Sequence, residues 1–443
     1  MAAAELTPLV DLITDAVKDV IKEYDTVGQP FPALGSTNSG HFDSAASVTP
    51  ELARAIKVVE AACAQLSFSV ASPAHVMTNK AFGFEEPVCL QIVTESGVAD
   101  LLVDLPEGLH IEELAKKSGI EVDKLGRVLR LLATKHCFIE VKPNVFANNR
   151  ISMTLVSGNH VSSLVGHLSG EALKSAAQLA DIVTDPVAGH CNSANATACD
   201  RAMGFPLMSY YQQAPKEIVD RVQSSMIAFA EVCGKHTIPN AYPWNDLPDG
   251  AILCDIGGGT GHISLDVLKA FAHLRVLVQD LEVMKEPGAE LWTKMYPEAI
   301  ANGKVSFVTL DLFAEPPVEG CHVYFMNYVL HDWPAAESMK MLANVRKAMK
   351  PHSKLLIREL IIEHVSRPQE EEAVADDRAP EPLLPNYGMG NVFQYNMDLN
   401  MMALLNAKER TLAEFVDLGK KTGFRFVKLY VTGKLGLLEF VAA

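Results

Sequence analysis

Several things are missing from this 443-residue chain, and each absence closes a route. No C-x-x-C pair occurs among the eight cysteines, which stand apart at Cys63, Cys89, Cys137, Cys191, Cys199, Cys233, Cys254 and Cys321. A chain of this length buries enough core to do without disulfide staples, and the spacing offers no zinc site; no metal is expected. Cys254 sits in an apolar strand pattern and reads as a buried free thiol. No run of apolar residues reaches 18, so no membrane span is expected. The first fifteen or so residues carry acids and lack a basic start and an apolar core, so they do not read as an export signal. Asn195-Ala196-Thr197 is then a coincidental glycosylation sequon, and the chain reads as cytoplasmic. Lys and Arg are outnumbered 38 to 54 by Asp and Glu, giving a net charge of -16. Without clustered cations to displace counterions, nucleic acid is excluded as a partner.

What remains is the balance of a folded protein, with 49% hydrophobic and 21% charged residues. The length implies two domains. Apolar residues at helical spacing (Leu9, Ile13, Val17, Ile21) predict a helix over Leu6–Tyr24. A linker rich in Gly, Pro, Ser and Asn follows over Gly28–Ser47. A second helix runs from Pro50, suited to a first helical position, to Ser67. Helices are predicted over Val88–Leu102, Ile111–Ser118 and Asp123–Thr134. Two β-prone runs come next, Phe138–Val141 and Val145–Ala147. This order is that of a winged helix. Its second helix offers only Lys124, Arg127 and Arg130, so a dimerisation or substrate-covering role fits better than DNA binding. From Glu171 to Gly234 the pattern is helical, with a break over Pro186–Asn195.

After Pro248-Asp249-Gly250 short strands alternate with helices, which predicts an α/β domain with a largely parallel sheet. The strands are expected at Ala251–Ile256, Arg275–Val278, Val305–Val308, His322–Met326 and Leu355–Leu360. Arg425–Tyr430 and Leu437–Val441, split by Thr432-Gly433-Lys434, form a terminal hairpin that a plain dinucleotide-binding fold lacks. Residues 366–391 are acidic and Pro-rich and read as a solvated, partly disordered insertion.

The first of these strands leads into Asp255-Ile256-Gly257-Gly258-Gly259-Thr260-Gly261-His262 and then a helix. Such glycines let a backbone approach a ligand closely, and the helix start offers amides. The nicotinamide fingerprint needs Gly or Ala where His262 stands, which weakens a dinucleotide reading. Asp280 ends the next strand, 19 residues after Gly261, where an acid accepts ribose hydroxyls or caps the following helix. Asp311 and Phe313 end the third strand, where an adenine would lie if the first two sites hold a nucleoside.

His331 leaves the fourth strand at the ligand-binding edge of the sheet. An imidazole of pKa about 6.5 removes a proton from a phenol of pKa about 10 when both are held in a dry pocket. A carboxylate on its other nitrogen fixes the tautomer. Glu359 and Glu409 are available for that. A satisfied structural histidine and a helix-capping glutamate are the plainer readings of His331 and Glu409 taken singly. Met401, Met402, Leu404 and Leu405 form either a slot for an aromatic ring or helix core.

From about residue 85 onward, the motifs Asp255-Ile256-Gly257-Gly258-Gly259-Thr260-Gly261, Leu330-His331-Asp332-Trp333 and Lys408-Glu409-Arg410-Thr411 occur in that order. In this the chain resembles the plant-type and fungal caffeate-like O-methyltransferases, class I enzymes dependent on S-adenosylmethionine. The resemblance implies a Rossmann-like methyltransferase domain with a seven-stranded, mostly parallel sheet over residues 161–443. It implies a winged-helix dimerisation domain within residues 1–160, and a homodimer. It places Asp255, Gly257, Gly259, Gly261, Asp280, Leu281, Asp311, Leu312, Phe313 and Asn327 on the cofactor. His331 becomes the general base flanked by Glu359 and Glu409, with Met226, Asp332, Met401 and Leu405 toward a small aromatic acceptor. Two departures stand out. Asn327 replaces a lysine of similar plant enzymes, and Leu404-Leu405-Asn406-Ala407 replaces a stretch richer in Asn and Gly. A nicotinamide-dependent oxidoreductase and a non-catalytic winged-helix binding protein are the competing readings.

Overall fold

The computed structural model describes residues 2–194, 196–366 and 378–443. Asn195 of the sequon and residues 367–377 of the acidic insertion lie outside the described residues. The chain forms two compact units. One comprises Met1–Gln178, Arg201–Ala230 and His364–Phe393, the other Leu179–Asp200, Glu231–Glu363 and Gln394–Ala443.

The first unit opens with helices Ala2–Val27 and Pro50–Val70, the second capped by Thr49, whose hydroxyl accepts from the Leu52 amide at 3.1 Å. Between them Leu9, Ala16, Val58, Ala61 and Ala62 form an apolar cluster that also takes in Ala379, Leu383 and Tyr387. This corrects the solvated reading of 366–391 over its described end. Those three side chains are buried, Gln65 Nε2 donates to the Pro382 carbonyl at 3.0 Å, and Gly390 fits where a Cβ would lie 2.5 Å from the Lys57 carbonyl oxygen. Composition shows the acids and prolines of this segment but not the apolar groove that receives it.

A helix over Pro73–Ala81, not expected from the sequence, precedes Glu85–Glu95 and Val98–Leu101. The single helix expected over Val88–Leu102 is broken because Gly97 turns left-handed, with φ +62°. Strand β1 (Leu109–His110), helices Ile111–Ser118 and Val122–Thr134, and strands β2 (Ile139–Lys142) and β3 (Val145–Ala147) follow, the strands ordered β1-β3-β2. Leu114, Leu125, Leu129, Leu132, Phe138 and Phe146 are their common core.

The second unit is built on a seven-stranded sheet. Its strands are β4 (Ile252–Ile256), β5 (Arg275–Asp280), β6 (Val305–Thr309), β7 (Val323–Asn327), β8 (Lys354–Glu359), β9 (Phe424–Thr432) and β10 (Leu435–Ala442). The order is β6-β5-β4-β7-β8-β10-β9, parallel from β6 to β8, with β10 antiparallel to β8 and to β9. Each strand lies within two residues of its sequence expectation. The apolar run Val323-Tyr324-Phe325-Met326 is completely buried, as a central parallel strand covered on both faces requires. Strand order reverses between β4 and β7, so their carboxyl ends open a crevice where ligands bind in such sheets. Among the described residues no helix is long and apolar enough to cross a membrane.

Candidate active site

The glycine loop leaves β4 at that reversal. Gly257 has φ +65°, and a Cβ there would lie 2.9 Å from Val329 Cγ2, so the loop passes closely under the chain leaving β7. Beneath the loop Asp255 is buried, and the Ser264 hydroxyl donates to its carboxylate. A Cβ on Gly258 would lie 2.5 Å from that carboxyl carbon. Asp255 therefore props the loop from below, and burial lifts its pKa to about 7. Asp280, at the end of β5, accepts from the Gly259 amide at 2.7 Å and from the Leu281 amide at 2.7 Å. It ties the loop to the neighbouring strand instead of capping a helix. A small cavity beside the loop is lined by Gly259, Asp280, Leu281, Met284 and Phe307.

Further along the edge, Asp311 is exposed and accepts from the Phe313 amide at 2.9 Å. Leu312 is buried, with its carbonyl held by Asn344 at 2.8 Å. Phe313 packs edge-on against Trp333, the ring centroids 4.6 Å apart. Asn327 ends β7, and its side-chain oxygen accepts from Arg358 Nη1 at 3.0 Å.

The turn after β7 assembles the histidine site. Val329 and Leu330 both direct their amides to Glu359 Oε1, at 3.1 and 2.9 Å, and Glu359 is wholly buried at the end of β8. His331 follows at once. Its Nδ1 lies 2.9 Å from Glu409 Oε1, and its Nε2 lies 3.4 Å from Asp332 Oδ1. Glu409 arrives on the loop between helices Val392–Leu405 and Leu412–Lys421, its amide donating to Asp398 Oδ1 at 2.9 Å. The capping role open to Glu409 from sequence belongs to Thr411, which forms a capping box with Glu414.

Burial opposes a charge on His331, but the carboxylates of Asp332 and Glu409, with Glu359 behind, outweigh it and lift its pKa to about 10. Burial raises Glu359 to about 7 and raises Asp332 as well. Glu359 Oε2 and Glu409 Oε2 are buried with no hydrogen-bond partner among the described residues. Donor atoms of His331, Glu359 and Glu409 lie within 4.8 Å of one another, close enough to hold a cation. One oxygen of each glutamate is nevertheless already occupied, by two amides at Glu359 and by the imidazole at Glu409. The trio thus reads as a hydrogen-bonded proton site.

Met401 is buried and Leu405 half-buried on helix Val392–Leu405. Met226, 44% exposed, belongs to the other unit, on helix Lys216–Val232. Arg410, quoted within a motif but given no role, turns out to be central. Buried to 2% exposure, it donates to the Leu330 carbonyl at 2.7 Å, to the Trp333 carbonyl at 2.7 Å and to Ser338 Oγ at 3.1 Å. It clamps the turn that carries His331. Its place directly after Glu409 was the available signal. A cavity of about 540 Å³ lies in the first unit among Leu34, Arg130, His136 and Ile139 and contains none of these residues.

A mixed, mostly parallel sheet with a glycine loop at its switch point and a buried histidine–carboxylate site defines a Rossmann-like α/β enzyme. The chain belongs to the O-methyltransferase domain family, which it matches over residues 178–425, and residues 78–158 match the O-methyltransferase dimerisation domain. It is an O-methyltransferase, of a family whose methyl donor is S-adenosylmethionine. This replaces the oxidoreductase and non-catalytic readings. Among relatives, the chain is 42% identical over 438 residues to 3-O-methyltransferase 2 of Phanerochaete chrysosporium, covering 99% of this chain and 98% of the relative. Among solved structures it resembles LaPhzM, at 25% identity and TM-score 0.67, over 84% of this chain and all of that one. The O-methyltransferase of neocarzinostatin biosynthesis, solved with S-adenosylmethionine and 2-hydroxy-5-methyl naphthoic acid, shares the fold at 20% identity and TM-score 0.63, over 81% and 96% of the two chains.

Proposed function

We propose that this enzyme methylates a phenolic hydroxyl of a small aromatic acceptor, with His331 as general base. The contact of 2.9 Å between His331 Nδ1 and Glu409 Oε1 carries the reading. It supports a neutral ring that donates from Nδ1 to Glu409, with Nε2 as the basic nitrogen. Glu409 then stabilises the imidazolium formed when Nε2 takes the phenol proton. Glu359 holds the turn through two amides, and Asp332 and the greasy Met401 and Leu405 face the acceptor.

The bound donor supplies a methyl on a cationic sulfur. Gly257, Gly259, Gly261, Asp280, Leu281, Asp311, Leu312, Phe313 and Asn327 hold it, and Asp255 supports the loop from below. The fit rests on the side-chain-free loop and on the carboxylate of Asp280 at the cavity beside it. In the free enzyme His331 keeps its proton up to about pH 10. A second positive charge beside it would lower that value.

An aromatic acceptor is supported by the naphthoic acid bound to the neocarzinostatin enzyme. The dimerisation-domain match supports pairing of two copies through the N-terminal domain, residues 1–160, with residues 161–443 as the catalytic part. Turnover of simple phenols with labelled S-adenosylmethionine tests the reading. His331→Ala is expected to keep S-adenosylhomocysteine binding and to lose about two to four orders of magnitude in kcat. Unchanged turnover removes His331 from the reaction.

A further inference from the structure

Tyr328 is the residue by which the chain leaves β7, and it does so with φ +53°. A bulky side chain rarely adopts that left-handed conformation, whereas Gly and Asn accept it readily. Strain of this kind persists where the side chain supplies something in return. The ring shows what that is. Its centroid lies 4.8 Å from that of the His331 imidazole, the planes inclined at 47°. The buried Tyr328 hydroxyl lies beside Cys233, whose carbonyl is held by Arg358 Nη2 at 3.2 Å.

Glu409 fixes His331 through one atom, Nδ1. A single hydrogen bond still allows the imidazole to pivot by coupled rotation about its Cα–Cβ and Cβ–Cγ bonds. That pivot carries Nε2 toward or away from Asp332 Oδ1, now 3.4 Å away. An aromatic face packed on the imidazole removes this freedom at a separation typical of ring pairs.

We infer that Tyr328 is a positioning residue that sets the plane of the His331 imidazole and hence the direction of its Nε2. Its strained backbone brings the ring over the imidazole and sends the next two amides to Glu359. The inference rests on His331 acting as base. The charged and titratable groups around the two rings are Asp332 on their own turn, Glu359 and Arg358 on β8, Glu409 beyond it, and Cys233.

The test compares Tyr328→Asn and Tyr328→Phe with the unaltered full-length enzyme. Asn accepts the left-handed backbone but removes the ring, and Phe keeps the ring but drops the hydroxyl. Thermal melting, kcat, KM for S-adenosylmethionine and the NMR titration of the His331 C2 proton are read for each. Tyr328→Asn is expected to stay folded with a modestly lower melting temperature, keep its KM, lose about 10- to 100-fold in kcat and shift the His331 titration midpoint. Tyr328→Phe is expected to stay within about threefold of the parent in kcat. A folded Tyr328→Asn enzyme with parental kcat and an unmoved His331 titration overturns the proposal, as does loss of melting temperature alone. A moved titration with parental kcat upholds the positioning and refutes His331 as base, so the two failures are distinct.

Discussion

Arg358 reaches across one strand to Asn327, its register partner on β7, and donates to the amide oxygen at 3.0 Å. The same guanidinium donates to the Thr432 hydroxyl at 3.0 Å and to the Cys233 and Gly234 carbonyls at 3.2 and 3.0 Å, and is 1% exposed. One cation thus ties the crevice edge to the β9–β10 turn and to the residues after helix Lys216–Val232. Burial pulls its pKa down to about 10.

Replacing Arg358 by Met leaves several buried acceptors without a donor. The expected loss is about 3 kcal/mol or more. Urea unfolding followed by tryptophan fluorescence measures it. A midpoint within error of the parent refutes the hub role. Asn327 should also lose its fixed orientation, weakening S-adenosylmethionine binding by about tenfold on the scale of one hydrogen bond.

Binding of S-adenosylmethionine should release a proton near pH 8. His331 is protonated there in the free enzyme, and a like charge lowers its pKa. Calorimetry in buffers of different ionisation enthalpy counts the protons. S-adenosylhomocysteine, whose sulfur is neutral, should release fewer, and His331→Ala should abolish the difference.

Glu359 and His331 should each make stability fall as pH rises, in separate windows, with Asp255, also raised to about 7, adding to the lower one. Folded Glu359, raised to about 7, keeps a proton that the unfolded chain gives up near 4.5, so its contribution is lost between those values. Folded His331, raised to about 10, contributes fully below 6.5 and loses that contribution as pH climbs through its folded value. Each group adds a slope of at most about 1.4 kcal/mol per pH unit. Melting curves from pH 4.5 to 9 test this, and Glu359→Gln should reduce the slope of the lower window only.

Chelators should leave turnover unchanged, because His331, its pKa lifted to about 10 and its Nδ1 held by Glu409, offers a cation no free lone pair. Activity lost to EDTA and restored by a divalent metal would overturn this account of the trio.

The sheet was legible because its signals are local. Alternating apolar runs and turn residues mark each strand, and glycines that must adopt positive φ mark the loop. His331 and Glu409 stand 78 residues apart, yet each lies in a recognisable motif. Tyr328 and Arg358 were not legible. The importance of the first comes from a backbone angle, and that of the second from carbonyls brought together by distant elements. The helix over Pro73–Ala81 escaped notice because its nine residues bury no side chain and so carry no apolar stripe. The break at Gly97 was hidden by apolar residues on both sides.

The cluster joining helices Ala2–Val27 and Pro50–Val70 to Ala379, Leu383 and Tyr387 has an implication for evolution. The early helices lie ahead of both matched domains, and the late segment lies just upstream of the helix leading to Glu409. Shortening either side would strand greasy surface on the other in water. The two stretches, more than 300 residues apart, are therefore bound to be inherited together, and drift in one should be answered by drift in its counterpart.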